Sequence, residues 1–314
     1  MSIKTVLIGA RGYVGAELIS IISRHSKLEL IAASSRELDG QRVNQYGKSE
    51  LYYQNLSPQE VVALSPDLVI LALPNGLAKS FVDLIDDEAI STTIIDLSAD
   101  YRFDPHWHYG LPEVHSHKVS KRISNPGCYA TAMQLCVAPI QDLVAGRISC
   151  FGVSGYSGAG TSPSDKNNLE LLRDNIMPYS LANHLHEQEV THHLGLEVKF
   201  SPHVAQYFRG ICLTAHIPIK KTSSLSGAFK AVEHRYAEHY RNNELIQFQA
   251  KPAQISQVVN QYGAVVGGLT LSDDGSHLVV TCTLDNLLKG AASQAVQNIN
   301  LAFELPQLEG LSTQ

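Results

Sequence analysis

The apolar residues of this chain change their spacing at fixed points, and those changes lay out its architecture. Residues 3–9 form an apolar, β-branched run that breaks at Gly9-Ala10-Arg11-Gly12-Tyr13-Val14-Gly15, and Ala16 to Ile22 then repeat at helical spacing. Strand, glycine turn and helix follow in that order. Further apolar runs at 28–33, 67–73 and 92–97 lack the alternation of a half-exposed strand, and Leu77, Phe81, Leu84 and Ile85 lie at helical spacing between two of them. Continuous apolar strands joined by amphipathic helices predict a parallel sheet covered on both faces. Beyond residue 128 the sequence is richer in strands with longer connections, the first at Ile148. A small-residue helix that ends near Leu305 is expected to pack back on the first domain. The pattern predicts an α/β domain over residues 1–127 with 288–314, and an α+β domain over 128–287.

Composition narrows the function classes. A chain of 314 residues suits two domains, and its 44% hydrophobic and 17% charged residues are those of an ordinary globular protein. A net charge of −6 lacks the basic footprint of a nucleic-acid binder, so nucleic acid is not an expected partner. No secretory leader and no apolar run of the ~18 residues needed to cross a bilayer is seen, so a cytoplasmic protein with no membrane partner is expected. The five cysteines are odd in number and include no CxxC pair, which points to reduced thiols.

The glycine turn carries the first candidate chemistry. Glycines after a strand and before a helix let the backbone approach a pyrophosphate, and the helix N-terminus offers N–H donors to it. The spacing is GxxGxxG, in a strand–turn–helix context that predicts a Rossmann-type dinucleotide site. Gly9, Arg11, Gly12, Tyr13, Val14 and Gly15 are its candidate residues. The next strand ends in Ser34-Ser35-Arg36, where an NAD-preferring site would place an acidic residue for the ribose hydroxyl. Two hydroxyls and a cation suit a 2′-phosphate instead, which predicts NADP(H); Arg36 in a solvated loop is the alternative, and the same holds for Arg11. Ligands of such sheets gather at the carboxyl ends of strands, which adds Pro74 and Ser98 to the cleft.

The second candidate chemistry is Cys128, set after Ser124-Asn125-Pro126-Gly127 where an apolar helix begins. Unpaired N–H groups at a helix start favour the reactive thiolate, so this position suits covalent catalysis. A thiol nucleophile needs a proton partner, for which the stretch Asn183-His184-Leu185-His186-Glu187-Gln188-Glu189 offers His184 and His186; spacing does not choose between them. Small residues at 154–160, including Ser157 and Gly158, suit close approach of backbone to a ligand. Arg209 beside Gly210 suits either a carboxylate or phosphate ligand or an ion pair at a strand end. Asn286 and Lys289 precede the last helix and are expected near the cofactor. Histidine pairs at 106/108, 115/117, 184/186 and 192/193 come without an HExxH or cysteine-rich pattern, so no metal is expected.

Taken in order, Gly-Ala-Arg-Gly-Tyr-Val-Gly at 9–15, Leu-Ala-Leu-Pro-Asn-Gly at 71–76, Asp-Leu-Ser-Ala-Asp-Tyr-Arg at 96–102 and Tyr-Gly-Leu-Pro-Glu at 109–113 form one set of motifs. Asn-Pro-Gly-Cys-Tyr-Ala-Thr at 125–131, Ser-Gly-Tyr-Ser-Gly-Ala-Gly at 154–160, Phe-Arg-Gly-Ile at 208–211 and Asp-Asn-Leu-Leu-Lys-Gly at 285–290 complete it. This set resembles the N-acetyl-γ-glutamyl-phosphate reductase family, from residue 3 to about 305. The resemblance implies a second domain of the semialdehyde dehydrogenase type, with substrate and oligomerisation duties, and a homodimer or homotetramer. It implies NADPH-dependent reduction of N-acetyl-γ-glutamyl phosphate to N-acetylglutamate 5-semialdehyde and phosphate, the third step of arginine biosynthesis. Cys128 would be the nucleophile of a thioacyl intermediate and His184 the acid/base, with His186 its rival. Asn125, Arg102, His186 and Arg209 would be candidates for contact with the acyl-phosphate substrate. Gln188, Asn75 and Thr161 stand where the family commonly has proline, histidine and arginine. A semialdehyde dehydrogenase acting on another acyl phosphate, such as aspartyl phosphate, and a non-catalytic nucleotide sensor are the alternatives.

Overall fold

A computed structural model describes residues 2–89, 91–220 and 225–311. The chain begins with β1 (Ile3–Ile8), α1 (Tyr13–Arg24), β2 (Leu28–Ser34), β3 (Tyr53–Gln54), α2 (Pro58–Ala63), β4 (Leu68–Leu71), α3 (Lys79–Glu88), β5 (Thr93–Asp96), β6 (His108–Tyr109) and β7 (Arg122–Ser124). There follow α4 (Cys128–Val137), β8 (Ile148–Gly155), β9 (Ile176–Pro178), α5 (Leu185–Leu194), β10 (Val198–Ala205), β11 (Ile211–Pro218), α6 (Leu225–Tyr240), β12 (Ile246–Gln249), α7 (Ile255–Val258), β13 (Ala264–Leu271), β14 (His277–Leu284) and α8 (Ser293–Ala302). Residues 1–127 with 291–314 make one unit and 128–290 the other. The chain returns to the first unit at Ala291 rather than at 288, because a π-helical turn over Leu288–Ala292 carries Leu288, Lys289 and Gly290 with the second. Residues 312–314 of the expected first domain lie outside the described residues.

In the first unit all strand pairs are parallel, in the order β3-β2-β1-β4-β5-β7-β6. The order reverses between β1 and β4, and at such a switch point the strand ends leave a crevice. The strands are apolar on both faces because both are covered. Val6, Ile8, Val69, Leu71 and Ile94 pack with Val61, Val82, Ile85 and Trp107 on one side. On the last helix, Ser293 to Asn300 are all buried, Gln and Asn included, and α8 packs on α1. Its amides are consumed inside: Asn300 Oδ1 meets His25 Nε2 at 2.9 Å and Gln297 donates to Glu113 at 2.7 Å.

The second unit is a mixed sheet, β12-β13-β14-β11-β8-β10-β9. Its strands alternate, as in Ile148 and Cys150 buried against Ser149 and Phe151 exposed, so one face carries the core. Helix α4 crosses that face and is buried from Tyr129 to Val137, which is why its sequence is apolar all round rather than amphipathic. The hydroxyls of Tyr236 and Tyr240 on α6 donate to the Cys136 and Leu135 carbonyls, satisfying acceptors that a helix end leaves open.

Candidate active site

The first unit builds a nucleotide cradle from missing side chains. Gly9, directly after β1, has φ of +83°, and a Cβ there would fall 2.1 Å from the Ala72 carbonyl oxygen. A Cβ on Gly15 would fall 2.6 Å from the Gly9 and Ala10 carbonyls. Gly12 caps α1 without any side-chain hydrogen bond, so the helix start is open to an anion. Tyr13 and Val14 are the first two helical residues. Ser34 and Ser35 are buried at the end of β2; their hydroxyl oxygens accept from the Leu56 and Leu38 amides at 3.3 and 3.2 Å, and each keeps a proton to donate. Arg36 is exposed, whereas Arg11 pairs with Glu37 at 2.6 Å. Glu37 carried no sequence signal for this pair, since folding alone brings it to Arg11. This cradle fits a dinucleotide.

Two loops at the same strand ends are tied together. Asp100 accepts from the Gly76 and Ala78 amides at 2.6 and 3.2 Å, and Asn75 Oδ1 accepts from the Ala99 amide at 3.0 Å. This holds the loop that Pro74 opens. Ser98 donates its hydroxyl proton to Asp96 at 2.7 Å and accepts from the Asp100 amide at 3.1 Å. Its hydroxyl therefore builds the turn at this strand end. Burial pushes the Asp96 carboxyl up to about 6, against the two Ser98 hydrogen bonds, with Asp100 adding to the rise.

The turn before Cys128 is pinned from several sides. Asn125 Oδ1 accepts from Asn298 at 3.0 Å, its Nδ2 donates to the Ala291 carbonyl at 3.2 Å, and its amide donates to the Asp96 carbonyl at 2.8 Å. Arg102 is buried and donates from Nε to the Asn125 carbonyl and from a terminal nitrogen to the Leu97 carbonyl, both at 2.9 Å. The Asn125 side chain is thus held between the Asn298 amide and the Ala291 carbonyl. Asn298, on the last helix, carried no sequence signal for this.

In the second unit Cys128 is the first residue of α4 and is half-buried. Gly290, in the π-helical turn, leaves space for it, since a Cβ there would lie 2.6 Å from the Cys128 Cβ. The expected Asn286–Lys289 segment therefore leads to Cys128. Asn286 is buried, with Oδ1 accepting from the Gly210 amide at 2.7 Å and Nδ2 donating to Ser157 Oγ at 3.0 Å, so Asn286 and Ser157 hold each other. Gly158 is in the same short helix as Ser157, and Lys289 is fully buried. Arg209 forms a 2.6 Å ion pair with Asp285, itself without exposed surface. Of the two readings of Arg209 the structure shows the ion pair.

Rings surround the start of α4. Tyr129, next to Cys128, donates to the His203 carbonyl at 2.8 Å, and its ring centroid is 6.2 Å from that of His186. Tyr179 shares a hydrogen bond with Tyr129 and is coupled electrostatically to Cys128. Its ring is 5.8 Å from His184, and the two histidine rings are 5.0 Å apart. Burial raises the Tyr179 phenol far above its ordinary range, so the hydroxyl stays protonated. His184 is the N-cap of α5: its Nδ1 accepts from the His186 amide at 3.1 Å. Burial pushes the His184 imidazole down to about 4, the Lys166 ammonium adds to the shift, and Glu187 opposes it. His184 is therefore neutral at pH 7, with the Nε2–H tautomer required by its cap. Glu187 anchors the same helix, accepting from the Phe200 amide at 2.9 Å and from Lys199 at 3.1 Å. No group of three or more histidine, cysteine or acidic side chains among the described residues converges as a metal site.

A nucleotide cradle at a sheet switch point, and a cysteine heading a buried helix in a mixed-sheet unit, define a dehydrogenase of the semialdehyde type. Residues 4–122 match the model for the semialdehyde dehydrogenase NAD binding domain, and residues 128–286 that for the semialdehyde dehydrogenase dimerisation domain. N-acetyl-gamma-glutamyl-phosphate reductases from Xanthomonas oryzae pv. oryzae, Stenotrophomonas maltophilia and Xylella fastidiosa are each 50% identical to it, over 99%, 97% and 98% of this chain and 100%, 96% and 94% of theirs. The chain belongs to the N-acetyl-γ-glutamyl-phosphate reductase family of oxidoreductases. The fold is also that of an aspartate semialdehyde dehydrogenase II from Vibrio cholerae, with a TM-score of 0.80 at 16% identity over 97% of this chain and 99% of that one. One from Candida albicans, with NADP, gives 0.71 at 15% identity over the same shares.

Proposed function

We propose that the protein reduces N-acetyl-γ-glutamyl phosphate to N-acetylglutamate 5-semialdehyde with NADPH, through a thioacyl intermediate on Cys128. The observation that carries this reading is the half-buried Cys128 at the first position of α4, with the helix N–H groups beside it and two histidines at the head of α5. The Cys128 sulfur attacks the acyl carbon, a C–S bond forms, and the C–O bond to phosphate breaks with its electron pair leaving on phosphate. Helix-start N–H groups stabilise the oxyanion of this step, a contribution of roughly 3 kcal/mol per donor in comparable sites.

Proton handling falls to His186 in this reading. His184 is a poor base, since its Nδ1 is spent on the helix cap and burial disfavours its cation. His186 takes the thiol proton and gives it to the departing phosphate, while His184 offers a neutral N–H to the substrate. Gly9, Gly12, Gly15, Ser34, Ser35 and Arg36 would hold NADPH, which supplies the hydride for the thioester when bound. Release of the aldehyde breaks the C–S bond and returns the thiolate.

The acyl group is tested in reverse, with phosphate and NADP⁺. N-acetylglutamate semialdehyde should yield NADPH at least 100-fold faster than aspartate semialdehyde at equal concentration, about 3 kcal/mol of discrimination; faster turnover of aspartate semialdehyde would replace this substrate with aspartyl phosphate. Cys128→Ser should abolish turnover, and full activity in that variant would end the covalent mechanism. Assembly as a homodimer or homotetramer is proposed through the outward face of the second unit's sheet, where Phe151 is 45% exposed.

A further inference from the structure

The reading above needs a cation for an anionic substrate, and two cations of the second unit, the expected Arg209 among them, are engaged. Arg209 pairs with Asp285 and Lys199 with Glu187. Lys166 is different. Its ammonium lies over the Tyr179 ring, 5.0 Å from the centroid, and it has no ion pair or hydrogen bond among the described residues. The half-buried side chain also acts electrostatically on His184. Lys166 thus stands among the rings that surround Cys128.

Its turn is built to present it. Asn167 Nδ2 donates to the Gly160 and Ser162 carbonyls at 3.0 and 2.8 Å, and Asn167 Oδ1 accepts from the Ser164 amide at 2.8 Å. Across from it, Asp174, Ser180 and Asn183 all hold positive φ, and Tyr179 is fixed by its amide to the Pro202 carbonyl at 3.2 Å. Strained backbone on either side of Tyr179 is the kind of conformation that ligand sites retain. A cation resting on an aromatic face keeps its donors for an incoming anion, because the ring supplies electrostatic support but no acceptor oxygen.

We propose that Lys166 binds an anionic group of the substrate, phosphate or carboxylate, beside Cys128 and so helps to select an acyl group that carries it. The proposal rests on the acyl-phosphate reading for the identity of the anion, and on the Lys166–Tyr179 geometry for the site. Lys166→Met and Lys166→Arg in the full-length enzyme test it, with thermal unfolding to show that both fold. Lys166→Met should raise KM for the acyl phosphate about 10- to 100-fold with KM for NADPH unchanged, and Lys166→Arg should recover most of it. In reverse, a rise confined to KM for inorganic phosphate assigns the phosphoryl group, and one confined to KM for the semialdehyde assigns the carboxylate.

A second readout needs no turnover. Alkylation of Cys128, followed by peptide mass spectrometry, should favour anionic iodoacetate over neutral iodoacetamide several-fold less in Lys166→Met than in the wild type. An unchanged acyl-phosphate KM together with an unchanged alkylation ratio would overturn the proposal. Full activity of Cys128→Ser would overturn the catalytic reading instead, and the alkylation ratio in wild type and Lys166→Met would still decide on Lys166.

Discussion

Single residues here are read best through what their polar atoms already do. His184 and His186 are indistinguishable by spacing, yet one caps a helix and the other does not. Asparagine keeps a helix cap, so His184→Asn should retain activity within about tenfold, whereas His186→Gln should lose the 10²- to 10⁴-fold typical of a lost general acid/base. The kcat of each variant checks this. Over pH 5–8 the rate profile of His184→Asn should keep the shape of the wild type's, because a group held at about 4 does not titrate there. In the proposed function Ser34, Ser35 and Arg36 would carry the cofactor choice: Arg36→Ala should raise KM for NADPH about tenfold and leave that for NADH unchanged, measured by steady-state kinetics.

The position of Cys128 at a helix start was legible at this scale because Pro126-Gly127 announces its turn. The engagement of Arg209 was not, since Asp285 is distant in sequence and only folding brings the two together. Asp285 also accepts from the Asn260 and Leu287 amides, at 2.8 and 2.9 Å, so the pair is structural. Removing one partner of such a buried pair strands the other charge, and Asp285→Ala should destabilise the protein by about 3–5 kcal/mol in urea unfolding.

Elements divide into those with local signals and those set by distant partners. The parallel strands and α1 were readable because apolar runs and glycine punctuation are local. Helix α6 was missed although Val232, Tyr236 and Tyr240 recur at intervals of four and are buried. The mixed order of the second sheet has no local signature, as its parallel β8–β10 and antiparallel β8–β11 pairs join strands across long connections. Nor is there one for α8 as a polar strut. Asn298→Ala should remove the hold on Asn125, lowering kcat about tenfold with little change in KM for NADPH, and Asn125→Ala combined with it should be no worse than either alone.

At the scale of the whole molecule, buried ionisable groups set the response to acid. Burial brings His184 and His108 to about 4, the latter helped by His117, Lys118 and His115, and it lowers His25. Each binds a proton more readily when unfolded, so stability falls as pH drops from 6.5 towards 4. Asp96, raised to about 6, acts oppositely, since its folded form keeps a proton that the unfolded chain releases between 3.8 and 6. Three groups outweigh one, so Tm should fall over pH 6.5 to 4, and His108→Asn should flatten that limb in a calorimetric series. Assembly is also a property of this scale: Phe151→Asp should shift sedimentation towards a monomer if the outward sheet face joins two copies.

The discontinuity of the first unit bears on synthesis. The second unit is one uninterrupted stretch, 128–290, whereas the first waits for residues 291 onward. Ribosomes add roughly 5–20 residues per second, and domains fold as units while they emerge. The unit that starts later is therefore finished earlier. Asn125 is made before Cys128, but Ala291 and Asn298, which hold its side chain, are made only after the whole of the second unit. A nascent chain therefore carries Asn125 long before it carries the partners of its side chain, and that turn gains its support only once residue 298 has been made.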